Sequence, residues 1–523
     1  MPTGCRSPFW DAWFTPAQQL ISLHQGTLSL SELFSQHNES RPFFPRLLMI
    51  LLAAPAGWDA RQEMVLTFAT VCAGAGAIYL LFRRCSDLSR NRRILVWAIT
   101  SFLLFAPCGY ENFLNPQHFG NFVPSVALLF ALVINAGGSR FAIKACANAS
   151  LAFIATYSMP HGLFLWLFAW PIAWQPNESP RRTRWRVIYC VAALVSIAGY
   201  FWGYRHPTVT PPFVSPFTHF GLLLHYLTLW SGDLFFLSVA DPLLLGILVL
   251  ALFSALAAAA IFLAVRDRNW RPGYPWLVLG IFTLVSGFTG AAGRLGFGLE
   301  QALDQRYTSY TVFLYIAIVG LAAHVLSAFR STALRLLAVA VFASGALLWG
   351  ETLVRITPRL AADERMRKHL LLALEWAAVI PDNPELQKLS PYPETPRRIQ
   401  ELIRYDILRP RAVSGPLAEA VRENPARASS RTIGELTGHP SASAGQMKLR
   451  ASAGSKKPNC VVIGFASAAG KYSPVAVFLP GEWRTIDLTH FLGERGELSG
   501  WAVYLKQKRA SPLSGTVPFG PIR

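Results

Sequence analysis

Pro242 to Val265 reads PLLLGILVLALFSALAAAAIFLAV, 24 residues without a formal charge. Wound as an α-helix it rises about 36 Å, more than the roughly 30 Å hydrocarbon core of a bilayer. Arg266, Arg268 and Arg271 follow at once. A long apolar helix closed by cations is the pattern of a membrane span. Working outward, the same pattern predicts spans over 63–82, 94–108, 121–136, 147–158, 160–174 and 187–204 on one side. On the other side it predicts 274–290, 310–328 and 335–351. The pair 147–158 and 160–174 is short, and Tyr157-Ser158-Met159-Pro160-His161-Gly162 between them reads as a tight turn or as a kink in one span.

Composition agrees with that reading. Of 523 residues, 52% are hydrophobic and 15% charged, against about 25% charged in soluble globular chains. Disorder, collagen-like repeats and a small disulfide scaffold are excluded. The 48 Lys and Arg outnumber the 29 Asp and Glu, for a net charge of +19. Many of those cations sit in short clusters between apolar blocks, so topology explains them and no nucleic-acid partner is expected. The seven cysteines contain no CxxC pair and read as small buried hydrophobes.

Charge settles the turn and the orientation. Alternate connections hold Arg83, Arg84, Arg90, Arg92, Arg93; Arg140, Lys144; Arg181, Arg182, Arg184, Arg186; Arg266, Arg268, Arg271; and Arg330, Arg335. These sixteen face three in the opposite set, Arg205, Arg294 and Arg306. Ten spans keep the asymmetry consistent and make the richer set cytoplasmic. Residues 1–62 and everything beyond 351 are then extracytoplasmic, which leads us to expect a further transmembrane helix missing ahead of Met1. Phe14 to Phe34 suits an amphipathic helix, or two short ones broken near Gly26, and 43–57 suits an interfacial or re-entrant segment. No span interior carries Asp, Glu, Lys or Arg, which argues against an ion-coupled transporter.

Beyond 351 the composition changes. Residues 352–457 read as a helical segment and linker, with helices at 359–379 and 396–408 and an Ala-, Ser- and Gly-rich linker at 412–457. Residues 458–523 read as a small β-rich domain, with runs at Cys460–Phe465, Pro474–Leu479, Thr485–Leu488 and Trp501–Leu505. The expected fold is therefore an all-α polytopic membrane bundle over 63–351, preceded by the outer segment 1–62 and followed by an extracytoplasmic tail.

The chemically versatile residues gather on the outer side. Carboxylates, arginines, amides and aromatics near a membrane surface suit glycosyl transfer from a lipid-phosphate donor. A carboxylate takes the proton of an attacking hydroxyl, and an Arg fork stabilises the leaving phosphate. Asp11 or Glu39 is the candidate base, and Arg294, Arg306 and Arg41 are candidate phosphate ligands. His37, Asn38, Glu111, Asn112, Gln117, His118, His161 and Tyr307 are candidates for holding sugar and acceptor. The histidines show no HxxxH or similar spacing, so no cofactor is predicted, and a divalent metal is left open without support from any motif.

The order of an outward Asp11, an amphipathic helix ending at Gly26, a segment with Pro45 and then many spans resembles the bacterial GT-C glycosyltransferases. These include the aminoarabinose transferases and protein O-mannosyltransferases. The strings His37-Asn38-Glu39-Ser40-Arg41 and Gly293 to Tyr310 are similar to segments of membrane proteins of this type. The resemblance covers the layout of residues 8–351. It implies a polyprenyl-phosphate sugar donor, inverting transfer to a cell-envelope acceptor, and a bacterial inner membrane setting with lipid as the other partner. A lipid-linked glycan flippase or transporter is the alternative, but transport predicts internal repeats and none is visible. An O-antigen polymerase or ligase would usually carry a larger outer loop than 205–241.

Overall fold

The computed structural model describes every residue except 1–7, 175–181, 209, 216, 330, 429–431, 433, 442, 444, 454–457, 493 and 521–523. Cys5, Arg181 and Arg330 thus lie outside the described residues. The first helices are α1 (Ala17–His24), α2 (Leu30–Leu33), α3 (Phe43–Ala56), α4 (Ala60–Cys85), α5 (Arg90–Leu104) and α6 (Tyr110–Leu114). Next come α7 (Phe119–Ala136), α8 (Phe141–Thr156), α9 (Leu165–Phe168), α10 (Arg182–Phe201), α11 (Phe220–Ser231) and α12 (Pro242–Arg266). The last are α13 (Tyr274–Arg294), α14 (Thr308–Ala328), α15 (Thr332–Glu375), α16 (Pro384–Gln387), α17 (Thr395–Arg404) and α18 (Pro416–Ala420).

The chain divides into two compact units. One comprises Ser29–Met49 and Glu63–Leu360; the other comprises Met1–Leu28, Ile50–Gln62 and Ala361–Arg523. The boundaries differ from the four consecutive segments expected, because two pieces near the N-terminus belong with the C-terminal part.

The first unit is a helix bundle. Among the described residues, eight helical segments are long and apolar enough to cross a membrane: Ala60–Cys85, Arg90–Leu114, Pro116–Ala136, Arg182–Phe201, Pro242–Arg266, Tyr274–Phe297, Gln305–Ala328 and Thr332–Glu375. The chain is thus a multi-pass membrane protein by helix length and composition. The shortfall from ten lies in the pair expected at 147–158 and 160–174. There α8 rises for 16 residues, and a 3-10 turn over Pro160–Phe164 leads into the four-residue α9. These arms are shorter than a full span, but they do form a hairpin. Its tip meets Phe44, whose N–H donates to Tyr157 O at 3.1 Å. Its return limb reaches the far end, where Asn135 Nδ2 donates to Trp170 O at 2.9 Å and Lys144 Nζ to Ile172 O at 3.2 Å.

Gly162 makes the hairpin possible. A Cβ there would stand 2.0 Å from the backbone oxygen of Ala155, an approach only glycine permits. Gly162→Ala should lower unfolding stability by about 3 kcal/mol, the upper part of the usual overpacking range, because backbone must move. Thermal unfolding in detergent checks this against Gly138→Ala, where nothing lies within 4 Å of the added carbon.

The connections segregate by set. Arg84 donates to Val133 O at 2.6 Å and Arg271 to Ala136 O at 2.9 Å, satisfying carbonyls left open at the C-terminus of α7. His324, Asp87, Asp267, Arg92 and Arg335 line a cleft of about 590 Å³ near that end. At the other end Arg41 Nε donates to Tyr200 O at 2.7 Å, Val214 N to Ala292 O at 2.8 Å and Asn112 Nδ2 to Gln305 O at 3.1 Å. In each of these bonds a connection meets a member of its own set.

The last expected span, 335–351, and the amphipathic helix expected at 359–379 are one helix. α15 runs 44 residues with Pro358 inside it, about 66 Å of rise. No residue of its apolar window is fully buried in this chain, and Leu348 and Trp349 pack on the bundle core, with the Trp349 ring 4.4 Å from that of Phe102.

The second unit is built on a β-sandwich. The strands are β1 (Gly434–Pro440), β2 (Gln446–Ala453), β3 (Cys460–Ser467), β4 (Tyr472–Phe478), β5 (Trp483–Asp487), β6 (Gly496–Tyr504), β7 (Arg509–Pro512) and β8 (Val517–Phe519). One sheet has the order β1-β2-β5; the other has β4-β3-β6-β7, with β8 on β6. Every pairing is antiparallel. Alternation assigns the faces: Val461, Ile463 and Phe465 meet Leu436, Met447, Leu449 and Ile486 between the sheets. Cys460, Val462, Trp501 and Val503 face the other way, onto Leu372, Trp376, Ile380 and Val421 of the helical tail. The β-rich part begins at Gly434, so the segment expected as a linker contains two strands. Their inward residues, Leu436, Met447, Leu449 and Ala451, alternate correctly but are few and partly small.

Candidate functional site

Glu39 is presented by a tight turn. His37 and Ser40 exchange backbone hydrogen bonds at 2.8 and 2.9 Å, and Asn38 takes a left-handed φ of 48°. Asn is among the few side-chain-bearing residues that adopt this conformation readily. Gln36 fastens the turn, its Oε1 accepting from Arg205 N at 3.0 Å, and the Tyr200 hydroxyl donates to Glu39 O. Arg41 donates to Tyr200 O, Trp202 O and Phe34 O. It thereby closes the C-terminus of α10 and has few donors left for a phosphate. Asn38 and Arg41 thus build the turn that aims Glu39.

The Glu39 carboxylate meets Arg294, 255 residues later, in an ion pair of 2.7 Å with both side chains 25% exposed. Arg294 ends α13, and the chain continues through 3-10 turns at Leu295–Phe297, Leu299–Leu303 and Gln305–Tyr307. Gly298, at φ 105°, allows the change of direction between the first two. Arg306 pairs with Asp304 at 3.0 Å and packs its guanidinium 5.3 Å from the Tyr307 ring centroid. Glu111, Tyr307 and Tyr310 all lie within electrostatic reach of Arg306. His161, at the hairpin tip, is buried with its ring edge-on to Tyr310 at 4.5 Å.

Nothing in the three comparisons made, with protein-family models, curated proteins and solved structures, matches this chain. The site must therefore be read from its own geometry.

Within the bundle unit, the structure brings together Glu39, Glu111, Arg294, Arg306, Tyr307 and His161. Asn112 is a fastener: fully buried, it donates to Gln305 O at 3.1 Å and Thr308 Oγ1 at 3.0 Å, tying the 110–118 connection to the 305–308 turn. Gln117 and His118 sit half-buried in the 3-10 turn Pro116–His118. Asp11 belongs to the other unit. It lies in the 3-10 turn Trp10–Trp13, where its Oδ1 accepts from the Tyr392 hydroxyl at 2.9 Å. Burial first, and then the Asp11 charge, pushes the Tyr392 phenol up from its ordinary range.

Three residues of the site fall outside the candidates drawn from sequence. Tyr226 is buried against Leu223, Trp230 and Ala302, and burial pushes its phenol up, with Tyr307 adding to the effect. Asp304 holds Arg306, and Tyr310 backs His161. Isolated tyrosines in apolar sequence carry no motif; only their clustering in space marks them. Asp233, in the turn Asp233–Phe235, is more unusual. It is 0% exposed, and among the described residues neither carboxyl oxygen has a hydrogen-bond partner.

Proposed function

We propose that this chain is an integral-membrane glycosyltransferase of the bacterial inner membrane. It moves a sugar from a polyprenyl-phosphate donor to a lipid, glycan or protein acceptor at the outer face. The observation that carries the reading is the Glu39–Arg294 pair in one neighbourhood with Arg306, both guanidinium groups acting electrostatically on Tyr226 and Tyr310. The sixteen-to-three distribution of basic residues supports an extracytoplasmic placement for the connection that carries Arg294 and Arg306.

In the reaction, the acceptor hydroxyl oxygen attacks the anomeric carbon and its proton passes to a carboxylate. The bond from that carbon to the phosphate oxygen breaks, and the oxygen leaves with the electron pair. Arg294 and Arg306 are suited to the leaving phosphate, since charge-assisted Arg–phosphate bonds are strong and bidentate. At rest each is held by a carboxylate. A phosphate that claims Arg294 releases Glu39, so donor binding itself frees a base next to the reacting centre. Asp11 is the other candidate base.

The test is release of free polyprenyl phosphate from a labelled polyprenyl-phosphate sugar by protein purified in detergent, with envelope extract as acceptor. Glu39→Gln should cut turnover more than about tenfold, the usual effect of losing a general base. Unchanged turnover in that variant takes the role of base away from Glu39. Donor carried intact across a vesicle membrane, with no phosphate released, would overturn the reading in favour of transport.

A further inference from the structure

The outer face of the three-stranded sheet carries an uncovered set of side chains. Leu436, Met447, Leu449 and Ile486 point into the sandwich, so their neighbours point outward. Thr437, Arg450 and Trp483 stand opposite one another on β1, β2 and β5, and His439, Lys448 and Thr485 form the next row. All six are exposed. Trp483 is 44% exposed, unusual for an indole, and the His439 ring braces it at 5.2 Å and 82°. Arg450 Nε donates to Gly481 O at 3.1 Å, which holds the guanidinium beside the indole. Among the described residues, neither Lys448 nor Arg450 has an ion-pair partner.

We propose that this face binds an anionic polysaccharide, a chain of sugar rings bearing carboxylate or phosphate groups. The indole offers a flat apolar surface to the C–H face of a ring. Lys448 and Arg450 meet the acidic groups, and Thr437 and Thr485 reach the hydroxyls. Three adjacent strands give the row a width of roughly 10 Å, two strand spacings, which is room for two rings. The two carboxylates on this face lie in the outermost rows: Glu435 beyond Thr437, and Asp487, whose Oδ1 accepts from Thr489 N at 2.9 Å. The central rows are therefore purely cationic. A membrane surface is the poorer match, because binding there scales with buried apolar area and Trp483 is the one large apolar side chain in these rows.

This site does not depend on the transfer reaction, and its test needs no donor. Full-length protein in nanodiscs of zwitterionic lipid is exposed to immobilised polygalacturonate, to neutral dextran and to phosphatidylglycerol vesicles. The expected result is salt-sensitive binding to polygalacturonate that weakens at least about tenfold in Trp483→Ala and in Lys448→Gln/Arg450→Gln. Unchanged unfolding temperatures in both variants show that the sandwich is intact. Equal binding by Trp483→Ala, capture of the vesicles instead of the polymer, or no retention of polygalacturonate would each overturn the assignment.

Discussion

Arg294→Gln is expected to lower turnover of the polyprenyl-phosphate sugar about a hundredfold or more. Removing a single oriented donor from a developing oxyanion commonly costs that much, and Arg294 has a second task besides. In the proposed reaction its 2.7 Å bond to Glu39 is the contact that a donor phosphate would replace. Glutamine keeps one donor but neither the charge nor the fork, so both the leaving group and the release of Glu39 suffer. The effect belongs in kcat, because an interaction made with the developing charge contributes more in the transition state than in the bound donor. Folding should be nearly unaffected, since a partly exposed ion pair contributes at most about 1 kcal/mol. Glu39→Gln separates the two tasks. If Glu39 is the base, the two single variants and the double variant show comparable losses, as expected for groups that act as a unit. Arg266→Gln, whose partner Asp267 is exposed at the other end of the bundle, serves as the control and should leave turnover intact. Turnover in Arg294→Gln equal to that of the parent would remove Arg294 from the leaving-group role.

How much of this was legible in the sequence depended on how much local signal each feature carried. Long apolar runs announce themselves, and Pro242–Arg266 lies within one residue of its expected bounds. The break near Gly26 was visible as well: α1 and α2 are separate, and Gly26 sits between them at φ 71°. The four expected β-runs lie in or beside β3, β4, β5 and β6. β1 and β2 escaped because the apolar half of their alternation is thin. In Gln446–Ala453 the only large apolar residues are Met447 and Leu449, with Lys448 between them and Arg450 after them. Helix α15 was split in two because the composition changes from apolar to charged after residue 351, yet the helix runs through that change with Pro358 inside it. In the site, sequence brought out the charged groups but not their occupation. Arg41 reads as a phosphate ligand until its donors are seen on three carbonyls. A pair formed across 255 residues has no local signature at all.

Asp233 supplies the second large effect, this time on stability. Burial first, and then the charge of Asp304, raises its carboxyl well above the ordinary value of 3.8. The Cys108 thiol donates to Asp233 O, and the Tyr315 hydroxyl donates to Ser231 O at 2.9 Å. Neither bond reaches the Asp233 carboxyl, and among the described residues no hydrogen bond stabilises its anion. The folded protein therefore holds that proton more tightly than the unfolded chain does. With a folded pKa above the unfolded one, the stabilisation is complete below the unfolded value. It is lost as pH rises toward the folded value, at about 1.4 kcal/mol per pH unit. Asp233→Asn keeps the shape of the neutral acid and cannot ionise. Its second amide hydrogen costs some stability at every pH, so the informative quantity is the difference between variant and parent. That difference should shift steadily in favour of the variant as pH rises from 5 to 8, measured by thermal unfolding in detergent. Parallel curves across that range would mean that Asp233 is ionised in the folded protein, and a bound cation or a rearranged 231–238 connection would then have to supply the missing partner.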